Sequence, residues 1–132
     1  MRLLRPAALA AALFAAACGG IIDPSKNTVE TFSGTLQPGG TNPSANYSVS
    51  KNGEVEVTMT SVVPAPPNGS IGVGLGQISG ASCVPLAGYV ASGIVNRKVQ
   101  FGFVNKGTYC VLVFDPGVLT APVSYSGTFS HP

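Results

Sequence analysis

Glu54-Val55-Glu56-Val57-Thr58-Met59-Thr60-Ser61-Val62 decides the fold class. Val55, Val57 and Met59 fall on one side of an extended chain, and Glu54, Glu56, Thr58 and Thr60 on the other. That is the period-two pattern of a strand with one wet and one dry face. Upstream, Asn46 to Ser50 reads as a strand closed by Lys51-Asn52-Gly53, whose Asn-Gly signals a tight hairpin. Before it, Val29 to Leu36 is a strand ended by Gln37-Pro38-Gly39-Gly40. Downstream, Pro64 to Gly69 must be a loop, and Ile71, Val73 and Leu75 then alternate with Gly72, Gly74 and Gly76. Residues 77–96 read as irregular. Lys98 to Val104, Thr108 to Phe114 and Val123 to Phe129 are further strands, separated by Asn105-Lys106-Gly107 and Asp115-Pro116-Gly117. No helix of ordinary length can be read after residue 20. Seven to eight short strands with this punctuation predict an all-β, two-sheet sandwich with hairpin-rich connections.

Composition agrees. Charged residues make up 9% of the chain, against roughly 25% in ordinary soluble domains. The 17 Gly and 11 Pro suit a β protein with many turns. The formal charge of +2 comes from Arg2 and Arg5 near the start. Beyond them, Lys26, Lys51, Arg97, Lys98 and Lys106 balance Asp23, Glu30, Glu54, Glu56 and Asp115. A concentrated basic surface able to displace counterions from a phosphate backbone is missing, so no nucleic-acid partner is expected.

Residues 1–17 have the three parts of an export signal. Arg2 and Arg5 supply the positive start, Ala7 to Phe14 the apolar stretch, and Ala15-Ala16-Ala17 the small residues before a cleavage site. The apolar run is far short of the ~20 residues of a spanning helix. Ala15-Ala16-Ala17-Cys18 resembles the lipobox of bacterial lipoproteins, with Ala15 where that family usually has Leu. The resemblance implies a diacylglycerol on Cys18 and cleavage before it, although the three alanines would also satisfy an ordinary signal peptidase. Gly19-Gly20 and Asp23-Pro24-Ser25 read as a flexible tether. The organisation expected is a signal segment at 1–17, a lipidated Cys18 and tether at 18–27, and one sandwich domain at 28–132. Gly19 follows the cysteine, so the inner-membrane retention Asp of enterobacterial lipoproteins is absent, and an outer membrane is the expected destination where the host has one.

Three short motifs, Phe32-Ser33-Gly34-Thr35-Leu36, Tyr47-Ser48-Val49-Ser50 and Gly107-Thr108-Tyr109-Cys110-Val111-Leu112-Val113, occur in that order. With Gly53, the strand of Val55 to Thr60 and a last strand at Tyr125, they resemble the bacterial pre-peptidase C-terminal domain over roughly residues 28–130. That family often carries acidic residues before the second-strand tyrosine, where this chain has Ser44-Ala45-Asn46. The resemblance implies a jelly-roll-type sandwich with a mostly non-catalytic, binding or structural role.

Catalytic material is scarce. His131, the only histidine, stands next to Pro132, where chains commonly fray. Glu54 and Glu56 share one strand face and read as its solvated side. Gly72-Val73-Gly74-Leu75-Gly76 lacks the spacing and the strand-then-helix context of a phosphate loop, and its glycines read as room for another segment to approach closely. No catalytic residue, metal ligand set or cofactor is expected. Tyr47, Tyr89, Tyr109 and Tyr125 could form a sugar-stacking platform, but half-buried sandwich tyrosines are the more ordinary reading.

Export places the two remaining cysteines in an oxidising compartment, where Cys83 and Cys110 should form a disulfide. Tyr109 to Phe114 is apolar on both faces. Tyr109, Val111 and Val113 point to one side, and Cys110, Leu112 and Phe114 to the other, so the second face needs a cover. A Cys83–Cys110 bond would draw the 77–96 segment across it, with Val84, Leu86 or Tyr89 packing there. The competing reading leaves an exposed patch, with Tyr89, Leu112 and Phe114 as candidate binding residues. The functional expectation is a lipid-anchored envelope protein with a non-catalytic structural or binding module; the alternative is a carbohydrate- or peptide-binding module using exposed aromatic residues. The membrane would be reached through Cys18, and the partner would be an envelope protein or a glycan.

Overall fold

The structure, a computed structural model, describes residues 24–132. The signal segment, Cys18 and the start of the tether lie outside the described residues. After a 3-10 turn at Pro24–Lys26 the chain is all β. Its strands are β1 (Thr28–Leu36), β2 (Thr41–Pro43), β3 (Tyr47–Val49), β4 (Gly53–Val63), β5 (Ser70–Ser79), β6 (Ser82–Ile94), β7 (Lys98–Val104), β8 (Gly107–Phe114) and β9 (Val123–His131). One antiparallel sheet has the order β1-β9-β4-β7, the other β2-β8-β5-β6, with β3 also pairing β8. Since β2 and β3 both lie on one edge of β8, they act as a single interrupted strand. Eight strands in two four-wide sheets is the jelly-roll order.

The connections differ from expectation. Among the described strands, β5 and β6 are the one consecutive pair joined as a hairpin. With β2 and β3 taken as one interrupted strand, the other links cross from sheet to sheet. Asn52-Gly53 therefore does not turn a hairpin: β3 belongs to the five-stranded sheet and β4 to the other. Asn52 Oδ1 instead accepts from the Lys106 amide at 2.7 Å, tying the β3–β4 crossing to the β7–β8 crossing. Alternation says which residues face inward; it does not say which strand lies alongside.

The core lies between the sheets. Phe32, Leu36, Val55, Val57, Met59 and Phe129 enter from the four-stranded sheet, and Val49, Ile71, Val73, Leu75, Val111 and Val113 from the other. Each fully buried aliphatic side chain contributes about 1.5–3 kcal/mol relative to exposure.

The largest correction concerns residues 77–96. β5 continues to Ser79, turns at Gly80 and returns as β6, at 13 residues the longest strand. The pairing runs from Ser79↔Ser82 to Gly76↔Pro85, then jumps to Gly74↔Val90, so Leu86 to Tyr89 bulge out opposite Leu75. Pro85, Ala87, Gly88, Ala91 and Gly93 give this strand no readable alternation. The small residues have a packing reason, since a Cβ at Gly93 would lie 2.7 Å from Val73 Cγ1 and 2.9 Å from Met59 Cγ.

Cys83 and Cys110 are disulfide-bonded, with their Cα atoms 6.1 Å apart. They sit on strands that flank β5, and strands two places apart are normally roughly 9–10 Å from each other. β6 therefore curls over β5, and the glycines make room for it. A Cβ at Gly76 would lie 2.6 Å from Cys83 Sγ and 2.9 Å from Cys110 Sγ. The Phe114 ring rests directly on Gly72, while Val90 Cγ1 and Leu112 Cβ approach Gly74. All of residues 71–76 are consequently buried. The second apolar layer exists, but its composition differs from expectation. Val84 is largely exposed, and Leu86 and Tyr89 pack against the inter-sheet core; the disulfide and the side chains of Val90, Leu112 and Phe114 cover the glycine face.

Candidate functional site: a groove beside β1

β1 is an edge strand. Phe32 and Leu36 face the core, and Thr31, Ser33 and Thr35 face out. Side chains from the opposite sheet reach across the seam to its edge. Tyr47 OH donates to Thr31 O at 3.3 Å, and Asn42 Nδ2 donates to Thr35 O at 2.6 Å. Between β2 and β3 the chain leaves the ladder for three residues. Ser44 stands in for it, its amide donating to Val111 O and its Oγ accepting from the Val111 amide, both at 2.8 Å.

This interruption and the β1 edge enclose a groove of about 610 Å³. Phe32, Pro43 and Ala45 give it apolar surface; Ser33, Ser44 and Thr128 are among its hydroxyls. Among the described residues no charged side chain lines it. Its outer rim continues onto a hydroxyl-rich sheet face, where Thr31 is opposite Thr128, Ser33 is opposite Ser126, and Thr60 Oγ1 lies 2.9 Å from Ser126 Oγ. Sequence reasoning did not find this groove.

The tyrosines form no platform. Tyr47, Tyr109 and Tyr125 are buried, and Tyr89 is half-buried against Phe101. Tyr109 OH donates to Asn105 O at 2.7 Å, Tyr89 OH to Phe103 O at 3.3 Å, and Tyr125 OH accepts from Asn42. With Tyr47 on Thr31, three of the tyrosine hydroxyls tie one strand to another, and that of Tyr109 fixes the loop before its own strand. Burial raises the Tyr47 and Tyr109 phenols above the ordinary range, so both remain donors at neutral pH.

The remaining candidates separate. His131 is not frayed. It is 3% exposed at the end of β9, its ring stacks on Phe129, and Nε2 lies 2.8 Å from Glu30 Oε1. Glu54 and Glu56 lie on the outer face, beside a cleft of about 70 Å³. Lys98 Nζ, itself exposed, sits 3.2 Å from Oε1 of the half-buried Glu56. Among the described residues no three His, Cys, Asp or Glu side chains gather as a metal-ligand set. Leu112 is 6% exposed and Phe114 is half-buried on Gly72, so the Tyr89, Leu112 and Phe114 candidates do not form one open patch.

No protein-family model matches the chain, and no curated protein matches it. Among solved structures, the Yersinia pseudotuberculosis-derived mitogen is similar in fold. The TM-score is 0.53 at 12% identity, over 80% of this chain and 87% of that one. At that identity the likeness is one of architecture.

Proposed function

We propose that the chain is an exported, lipid-anchored protein of the cell envelope whose sandwich is a non-catalytic binding module, and that the groove beside β1 is where it binds. The groove carries this reading: it is a sizeable uncharged concavity with apolar and hydroxyl surface, walled by an interruption in a strand. The Cys83–Cys110 disulfide suits an oxidising, extracytoplasmic setting. The lipobox-like Ala15-Ala16-Ala17-Cys18 supplies the anchor, and the pre-peptidase resemblance supplies the non-catalytic role.

Each half of the proposal has its own test. Intact mass of the protein from its native host should give an N-terminus at Cys18 with added acyl mass; an unmodified Cys18 removes the anchor and leaves export standing. A photo-crosslinking residue at Ala45 should capture a discrete partner species in cells, while one at Pro116 should not. Equal labelling from both positions contradicts the groove as the binding site.

A further inference from the structure

Among the described residues no strand pairs with the β1 edge inside the groove. In an antiparallel pair the N–H and C=O of one residue point the same way, and successive residues alternate. Thr31 O and Thr35 O each accept from a side chain across the seam, so both residues face the free edge. By alternation Ser33 faces it too, while Phe32 and Gly34 direct their groups to β9. The far side of the sheet agrees. Met59, opposite Gly127 on β9, gives its carbonyl to the Asn96 amide and not to β9, so Gly127 turns its own groups toward Phe32. The N–H and C=O of Ser33 thus open on the groove.

We infer that the groove takes a short, extended, uncharged peptide segment, which pairs with Ser33 as an added strand. This rests on the groove being the binding site. An open strand edge is a template for another strand, and Tyr47 and Asn42 limit its length. Thr31 to Thr35 spans about 14 Å at strand rise, and the two capped carbonyls at its ends leave Ser33 to make the central pair of hydrogen bonds. The absence of charge in the lining selects against charged side chains, which would lose water without gaining a partner. Phe32, Pro43 and Ala45 offer apolar contact to small side chains, and the hydroxyls of Thr31 and Thr60 offer hydrogen bonds at the rim.

The test is an amide-resolved NMR titration of the oxidised domain, residues 24–132. The probes are an acetylated, amidated alternating Ala–Thr pentapeptide, the same peptide N-methylated at its central residue, and the neutral disaccharide cellobiose. The pentapeptide should shift Ser33 and Ala45, and N-methylation or Ala45→Arg should each weaken binding about tenfold, roughly the value of one hydrogen bond. In the free protein the Ser33 amide should exchange with solvent much faster than Phe32. Shifts at Ser33 and Ala45 with cellobiose alone overturn the peptide assignment and leave the groove as the site. If no probe moves a groove amide, both the peptide assignment and the groove reading fall.

Discussion

Cys83 and Cys110 meet over Gly76, a residue of the strand that lies between theirs. A methyl group at position 76 would press on both sulfurs and come within 3.0 Å of Val84 O. Overpacking of this kind costs about 1–3 kcal/mol. Gly76→Ala should lower the urea midpoint accordingly with little change in slope. An unaltered midpoint would mean that β6 does not lie on β5 at this end.

Leu112 shares the covered face. Leu112→Asp should cost about 3–5 kcal/mol, as burial of an unpaired carboxylate does. Val90 borders the same layer but is 59% exposed, so Val90→Asp should cost less than half as much. Similar losses at the two positions, measured by chemical denaturation, would contradict the assigned burial.

Much of this architecture is legible in the residues. β9 and β4 as far as Thr60 alternate, and the structure places the ends of β4, β7, β8 and β9 within two residues of the expected ones. β8 is instead apolar on both faces, and β7 breaks its alternation at Gly102, so that Phe103 is exposed and Val104 buried. β6 is not legible, because a strand that must approach Val73 and Met59 closely uses Gly93 and Ala91 where β-branched residues would announce it. Its four-residue bulge also breaks the period. Thr41-Asn42-Pro43 is too short and too turn-like to read as a strand, and Pro43 is tolerated because β2 is an edge. His131 continues the inward parity of Val123, Tyr125, Gly127 and Phe129, a signal outweighed by its position beside Pro132. The groove depends on where β1 lies relative to β2 and β3, which is tertiary information that no local pattern contains.

Alkaline pH should weaken the fold through the tyrosines. Burial raises the Tyr47 and Tyr109 phenols in the folded state, so the folded chain holds its protons longer than the unfolded one. Their contribution is fully present below the ordinary phenol value of about 10 and is lost as pH rises through the folded values. Denaturation midpoints should fall in that window together with the rise in phenolate absorbance. Tyr47→Phe with Tyr109→Phe should flatten the dependence; a profile unchanged by both substitutions would contradict it.

Asp115 acts at the acid end. Its Oδ2 accepts from the Gly39 amide at 2.8 Å, and Oδ1 accepts from Gly117, Val118 and Leu119. These bonds, that to Gly39 foremost, hold the carboxyl below its ordinary range. Its stabilisation is present above the ordinary carboxylate value and is lost as pH falls through the lower folded value. Asp115→Ala should therefore narrow the stability difference between neutral and acidic solution. An identical acid profile in the variant would rule the staple out.

The claim on which the rest depends is that residues 82–94 are a strand pinned over β5 and not a loop, and native-state hydrogen exchange on the oxidised domain tests it directly. The hydrogen-bonded amides among residues 90–94, which pair with Ser70 to Gly74, should exchange as slowly as those of β5. Replacing Cys83 and Cys110 by Ala should lower global stability by about 3–4 kcal/mol, for a loop closed across 27 positions, and speed exchange at 82–90 first. Exchange of 90–94 at unfolded-chain rates in the oxidised protein would contradict the account.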